Sequence, residues 1–183
     1  MASITIVTGC PGTGKTTLAA REPRAVHVSG DVFYAFLGRP ISPIDPAARP
    51  QNTTVTIAIA RAVAAFACGG YEVFVDGIIG PWFLPTFARE LAGVAAPLHY
   101  IVLRAELADA ITRAETRPSP GDARIVRHMY REFEDLGAFV SHTLDTGGRT
   151  LDETCNALVR RWRAGEFLID AASVVAKPDA PAR

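Results

Sequence analysis

Gly9-Cys10-Pro11-Gly12-Thr13-Gly14-Lys15-Thr16 reads G-x-x-x-x-G-K-T, and the residues on either side of it decide the fold. Ahead of it runs Ile4-Thr5-Ile6-Val7-Thr8, β-branched at every position, which suits a strand buried on both faces. Behind it runs Lys15-Thr16-Thr17-Leu18-Ala19-Ala20, which suits the opening of a helix. Strand, glycine loop and helix together are the context that gives this pattern its meaning as a phosphate loop, the Walker A motif. Gly12 and Gly14 let the backbone curl so that successive N–H groups converge on one anion. A helix starting there adds unsatisfied donors and the positive end of its dipole. Lys15 brings a full charge to the β- and γ-phosphates, and Thr16 offers a hydroxyl to Mg²⁺. The stretch predicts a nucleoside triphosphate site formed by Gly9, Pro11, Gly12, Thr13, Gly14, Lys15, Thr16 and Thr17.

The rest of the chain fits a small α/β domain. Its 183 residues are 49% hydrophobic and 21% charged, a globular balance, and the formal net charge is zero. Bulk charge therefore gives no support to nucleic-acid or membrane-surface binding. Three cysteines, Cys10, Cys68 and Cys155, have no metal spacing and read as reduced thiols in a cytoplasmic protein. The chain enters its first strand at once, which predicts no signal peptide, and the most apolar run, Val55 to Cys68, is too short to span a bilayer. The expectation is one domain over 1–183, with a lid at about 113–127 and a loosely held tail from about 171.

Arg24 to Ser29 predicts a second strand, ending at Ser29-Gly30-Asp31. In an open α/β sheet, ligands sit beyond the carboxyl ends of strands. Asp31 stands there, either facing a phosphoryl acceptor or capping a helix that starts at Val32. Gly38 to Pro50 carries Pro40, Pro43, Pro46 and Pro50, too many for a regular helix, and reads as a cover over the acceptor site or a plain surface excursion. Asn52 to Cys68 has helical spacing in Val55, Ile59, Val63 and Phe66, with Asn52 or Thr53 as cap and Gly69-Gly70 as stop. Glu72 to Gly77 is a third strand whose apolar run leads into Asp76, a Walker B pattern that predicts a hard oxygen ligand for Mg²⁺. Trp82, Phe83 and Phe87 could line an acceptor pocket with Phe33, Tyr34 and Phe36, or simply fill the core.

Leu98 to Leu103 predicts a fourth strand and Ser141 to Thr146 a fifth, with an adenine-side loop at Asp145 to Gly148. Between them, a helix from Glu106 to Arg117 puts Arg113 and Arg117 on one face. A proline-glycine loop follows, then a helix capped by Asp122 with Ile125, Met129 and Phe133 inward and Arg124, Arg127 and Arg131 outward. Arginines at such a hinge suit a phosphate-closing lid, because the guanidinium fork stays charged and binds phosphate oxygens in pairs. Thr150 to Glu153 is a capping box for a last helix ending near Arg163.

Four pieces of this chain together resemble the small P-loop kinases of the nucleoside-monophosphate-kinase architecture: the glycine loop, Ser29-Gly30-Asp31, Glu72 to Gly77, and Arg113 with Arg117 before a short lid. Chloramphenicol phosphotransferase-like, shikimate and gluconate kinases are nearest in pattern, and zeta-toxin-like sugar kinases are further off. The resemblance spans Ser3 to Arg163 and implies a three-layer fold: a five-stranded parallel sheet in the order 2-3-1-4-5, with helices on both faces. It also implies ATP as donor, Mg²⁺, and an acceptor near Asp31, with Lys15, Arg113 and Arg117 serving transfer and Thr16 and Asp76 holding the metal. Nucleoside monophosphate kinases usually carry an arginine three positions after the strand-two aspartate. Tyr34 stands there, which favours a hydroxylated small molecule as acceptor; the expected assembly is a monomer or homodimer. A nucleotide or nucleic-acid-end kinase is the alternative. A switch GTPase or mechanical ATPase fits less well, since N-K-x-D is absent and Gly77 follows Asp76 where a water-activating glutamate would stand.

Overall fold

A computed structural model describes residues 2–9, 11–13, 25–116 and 122–176. The strands are β1 (Ile4–Thr8), β2 (Ala25–Ser29), β3 (Glu72–Asp76), β4 (Leu98–Arg104), β5 (Thr143–Asp145) and β6 (Leu168–Ile169). The helices among the described residues are α1 (Gly30–Ala35), α2 (Arg49–Cys68), α3 (Leu84–Glu90), α4 (Leu107–Glu115), α5 (Ala123–Glu132), α6 (Leu151–Arg163) and α7 (Ala171–Val175). The sheet order is β2-β3-β1-β4-β5, all parallel, as the resemblance implies. One strand was not foreseen: two-residue β6 pairs antiparallel with the start of β4, Leu98 opposite Ile169.

β1 lies at the centre and is buried at all five positions, because both of its faces are covered. On one face Ile4, Ile6, Val73, Val75, Tyr100 and Val102 pack with helices α2, α3, α4, α5 and α7. On the other Val7, Ile101 and Leu103 pack with Leu144, Phe167 and the Ala157 and Leu158 of α6. All parallel strands point their carboxyl ends the same way, so Thr8, Ser29, Asp76 and Arg104 share one end of the sheet.

Several boundaries differ from the sequence expectation, each for a local reason. α2 begins at Arg49, not Asn52, with Pro50 in its first turn, where a missing N–H costs nothing. Asn52 is therefore not a cap but a buried second-turn residue. Gly69 closes the helix as expected, and Gly70 follows with φ +85°. α1 starts at Gly30 with Ser29 in the cap position, so Asp31 lies in its first turn and is not its cap. Within the tail expected from about 171, the described residues end in α7, which is capped by Asp170 and puts Val174 in the core; residues 177–183 lie outside the described residues. Asp122 caps α5, accepting from Arg124 N at 2.7 Å, and the Thr150–Glu153 capping box is complete in both directions.

Candidate active site

The glycine loop rises from the centre of the sheet into space that admits no side chain at two points. Gly9 has φ +138°, and a Cβ there would stand 2.4 Å from the Leu103 carbonyl oxygen at the end of β4. Gly12 has φ +91°, and its Cβ would meet the Ala110 carbonyl oxygen of α4 at 2.2 Å. Backbone is on the other side of both contacts and cannot swing away, so only glycine fits. Thr13 is buried beside them. Gly14, Lys15, Thr16, Thr17 and, in the lid, Arg117 lie outside the described residues.

Asp31 and Asp76 come to the same sheet end. Ser29 is the register partner of Asp76, so Asp31 lies two residues beyond that pairing. A Cβ on Gly30 between them would sit 3.1 Å from the Asp76 carbonyl oxygen, which shows how closely α1 leaves the end of β3. Asp76 is 4% exposed, and its Oδ1 lies 2.7 Å from His27 Nε2. His27 is on β2, whose in-register partner on β3 is Phe74, on the same face as Asp76. A buried carboxylate needs such a partner, and sequence reading missed it. The signal was available: parallel strands in register place a residue two before the end of one beside the end of its neighbour.

A hard oxygen donor, buried at the carboxyl end of the strand next to β1, fits a divalent cation held beside the phosphate loop. Among the described residues no cluster of three or more metal-ligating side chains occurs. Asp76 could supply one donor to such a site, which would need Thr16 and phosphate oxygens to be complete.

Beyond Asp31 opens a cavity of about 440 Å³. Asp31 and Tyr34 of α1 form one wall, and Pro43 to Pro46 form another, in the segment expected to cover the acceptor. Asn52, Thr56 and Ile59 of α2 make its back. Gly77, Ile78 and Ile79 after β3 make its floor, with Trp82 and Phe83 beside them. The floor is tied to the base of the glycine loop: Ile79 N donates to Thr8 Oγ1 at 3.0 Å. α5 closes the remaining side with Ile125, His128, Met129 and Glu132, a stripe at i, i+3, i+4 and i+7. Of the aromatic residues weighed for a pocket, Tyr34, Trp82 and Phe83 line the cavity, Phe36 is 73% exposed, and Phe87 is core.

Hydrogen bonds hold the proline-rich segment in place. Tyr34 Oη donates to Asn52 Oδ1 at 3.2 Å, and Asn52 Nδ2 donates to the Pro43 carbonyl at 2.8 Å. Gln51 grips the same segment one step earlier, accepting from Ile41 N at 2.8 Å and donating to Ile41 O at 2.9 Å. Burial, and secondarily the negative charge of Asp31, push the Tyr34 phenol up to about 12. The phenol is therefore a neutral donor throughout the physiological range.

Arg113 lies on α4, three residues after the Ala110 that Gly12 approaches. Its guanidinium reaches Thr146 through two long hydrogen bonds, 3.3 Å to Oγ1 and 3.4 Å to the carbonyl. Thr146 is itself anchored to Arg104 O at the end of β4, at 2.8 Å. Arg113 thus joins the loop after β5, the expected adenine side. On α5, Arg124 is taken up by Asp122, whose carboxyl it holds below the usual carboxylate range.

No family model matches the chain, and no curated protein matches it in sequence. Solved structures do match along nearly the whole length. The tunicamycin resistance protein of Deinococcus radiodurans aligns over 93% of this chain and 99% of its own, with a TM-score of 0.62 and 18% identity. A gluconokinase from Sinorhizobium meliloti aligns over 90% and 94%, at 0.63 and 19%. Shikimate kinase from Bacteroides thetaiotaomicron aligns over 88% and 98%, at 0.64 and 12%. Among the described residues no helix is long and apolar enough to cross a membrane. With its β2-β3-β1-β4-β5 order and its glycine loop after the central strand, the chain has the fold of the P-loop small-molecule kinases.

Proposed function

We propose that this protein is an ATP-dependent kinase that transfers the γ-phosphoryl group to a hydroxyl of a small molecule. One observation carries the reading: a ligand-sized cavity, bordered by Asp31, is hydrogen-bonded through Ile79 to the last residue of the strand that feeds the glycine loop. Donor and acceptor spaces therefore meet at one sheet end, which is what in-line transfer needs.

In this reading the backbone of Gly9 to Thr13, with Gly14, Lys15, Thr16 and Thr17, cradles the phosphates. Thr16 and Asp76 would hold Mg²⁺, which would supply positive charge to offset the charge of the phosphates. Asp31 accepts a hydrogen bond from the acceptor hydroxyl and orients its oxygen. That oxygen forms the new P–O bond as the bond to the β-phosphate oxygen breaks. ADP leaves, and the hydroxyl proton passes by way of the Asp31 carboxylate to solvent. Arg113 enters from the β5 side and, with Arg117 of the lid, offsets charge on the transferring group. His27 holds the Asp76 carboxylate in place, a positioning role.

The test is ATP-dependent gain of one phosphate mass on hydroxylated metabolites and antibiotics, with Lys15→Ala as the inactive control. ATP hydrolysis at full rate, with no alcohol in a broad panel ever phosphorylated, would overturn the kinase reading.

A further inference from the structure

The chemistry of the cavity wall narrows the acceptor, an inference that rests on the kinase reading only for what happens to the bound molecule. We infer that the cavity takes an amphipathic alcohol: a hydroxylated molecule with a sizeable apolar body and no anionic group.

The wall is largely hydrocarbon. Ile44, Ile59, Ile78, Ile79, Ile125 and Met129 come from four separate segments and converge on it, with Trp82 and Phe83 adding ring surface. A polyol or sugar acid has little apolar surface to bury here and would leave its hydroxyls without partners, a penalty incurred again for each buried polar group left unpaired.

Three uncharged polar side chains of the lining, Tyr34, Asn52 and Thr56, already bond to other protein groups. Asn52 spends its amide on Tyr34 Oη and on the Pro43 carbonyl. Thr56 Oγ1 donates to Asn52 O at 2.8 Å. Asp45 Oδ1 accepts from Ala47 N at 2.8 Å, capping the turn that carries Pro46. These bonds shape the wall, and a ligand rich in hydroxyls would have to break them to gain its own.

Charge points the same way. The described lining carries three carboxylates, Asp31, Asp45 and Glu132, against one guanidinium, Arg49, and the imidazole of His128. An acceptor carboxylate or phosphate would enter a field of its own sign. A neutral or amine-bearing molecule would not. The volume, about 440 Å³, lies within the range of pockets that enclose drug-sized ligands and is generous for a triol.

The chain carries its own reporter. It has two tryptophans, and Trp82 lines the cavity while Trp162 packs against Phe74 and His99 on the opposite face of the sheet. The neutral apolar fluorophore N-phenylnaphthylamine is titrated into the full-length protein, following energy transfer from tryptophan. It is then competed with phenylalaninol, gluconate, shikimate and glucose. The expected result is saturable binding, with phenylalaninol displacing the dye at a concentration at least about tenfold lower than the other three. Ile125→Asp, on the half-buried stripe of α5, should weaken the dye by about tenfold or more, since a charge replaces apolar wall. Trp162→Phe should leave the transfer signal in place.

Absence of saturable binding, indifference to Ile125→Asp, or displacement by gluconate, shikimate or glucose as readily as by phenylalaninol would overturn the inference. The two readings fail separately. Phosphate transfer to gluconate or shikimate would uphold the kinase and overturn the amphipathic acceptor. Selective displacement by phenylalaninol, with no alcohol ever phosphorylated, would uphold the binding preference and overturn the kinase.

Discussion

The glycine loop and the proline-rich segment border the same sheet end, yet they are held by different means. The glycine loop is fixed by backbone against backbone: Gly9 under the Leu103 carbonyl and Gly12 under the Ala110 carbonyl, both at positive φ. The proline-rich segment is fixed by side chains reaching from α2, Gln51 to Ile41 and Asn52 to Pro43. The first arrangement serves any ligand with phosphates, because N–H groups are the same at every residue. The second can be altered one side chain at a time without disturbing the sheet. On the kinase reading, a protein built this way would keep its donor site constant and leave its acceptor site free to vary.

The largest effect is expected where backbone meets backbone. Gly12→Ala puts a methyl 2.2 Å from a helix carbonyl in a conformation that L-residues avoid. Strain of this kind costs about 1–3 kcal/mol before the clash is counted. At about 2–4 °C per kcal/mol for a chain of this size, the melting temperature should fall by several degrees, and ATP binding should be lost. Calorimetry showing parent-like ATP affinity in a protein with parent-like melting would break the idea that the loop is held by contact rather than by its ligand.

Asp31→Asn probes the border between the two regions. Ser29, not Asp31, occupies the cap position of α1, so the exchange should leave melting and ATP affinity near the parent values. Transfer to the acceptor should drop by about 10²–10⁴-fold, the usual contribution of a positioned acid–base group. Parent-rate transfer would remove Asp31 from the chemistry and turn attention to His128 and Glu132, which face the same cavity.

How the two regions are held also explains what could be read from sequence. The loop and the caps at Asp122 and Thr150 depend on residues close in the chain, and each was legible, whereas the sheet order, which joins strands far apart in sequence, came from the family resemblance. The cavity depends on Asp31, Ile44, Asn52, Ile79 and Met129, which meet only once the sheet is assembled. Proline density between Gly38 and Pro50 hid the start of α2, although a proline in a first helical turn is a familiar arrangement. The α5 stripe was read for its apolar members alone, and Ile125 and Met129 drew notice while His128 and Glu132 on the same face did not. β6 offered two residues and no pattern to read.

Asn52→Ala tests the side-chain hold on the proline-rich segment. It removes one acceptor and one donor at a site 8% exposed, leaving Tyr34 Oη and the Pro43 carbonyl to find new partners. The expected cost is about 1–3 kcal/mol of stability. The acceptor KM should rise while the ATP KM stays unchanged, since the donor site does not use this bond. Equal changes in both KM values would mean that the two regions are coupled more tightly than their contacts suggest.

Tyr34→Phe makes the smallest change, deleting one hydroxyl from the same chain of bonds. Near neutrality the variant should lose about 1 kcal/mol or less, the net worth of a single hydrogen bond. Its pH dependence is more telling. The folded protein raises the phenol from 10.0 to about 12, through burial and then through Asp31. Between those values the folded state keeps a proton that the unfolded chain has released, so stability is fully present below pH 10.0 and falls as pH rises through the window. Tyr100, wholly buried and also raised, contributes a fall of its own that the substitution leaves in place. The variant should therefore decline less steeply than the parent, and the gap between them should narrow with rising pH. Thermal melting at a series of alkaline pH values reads this directly. Parallel curves through the window would mean that Tyr34 is not held in a closed wall, and that the cover over the acceptor site stands open in solution.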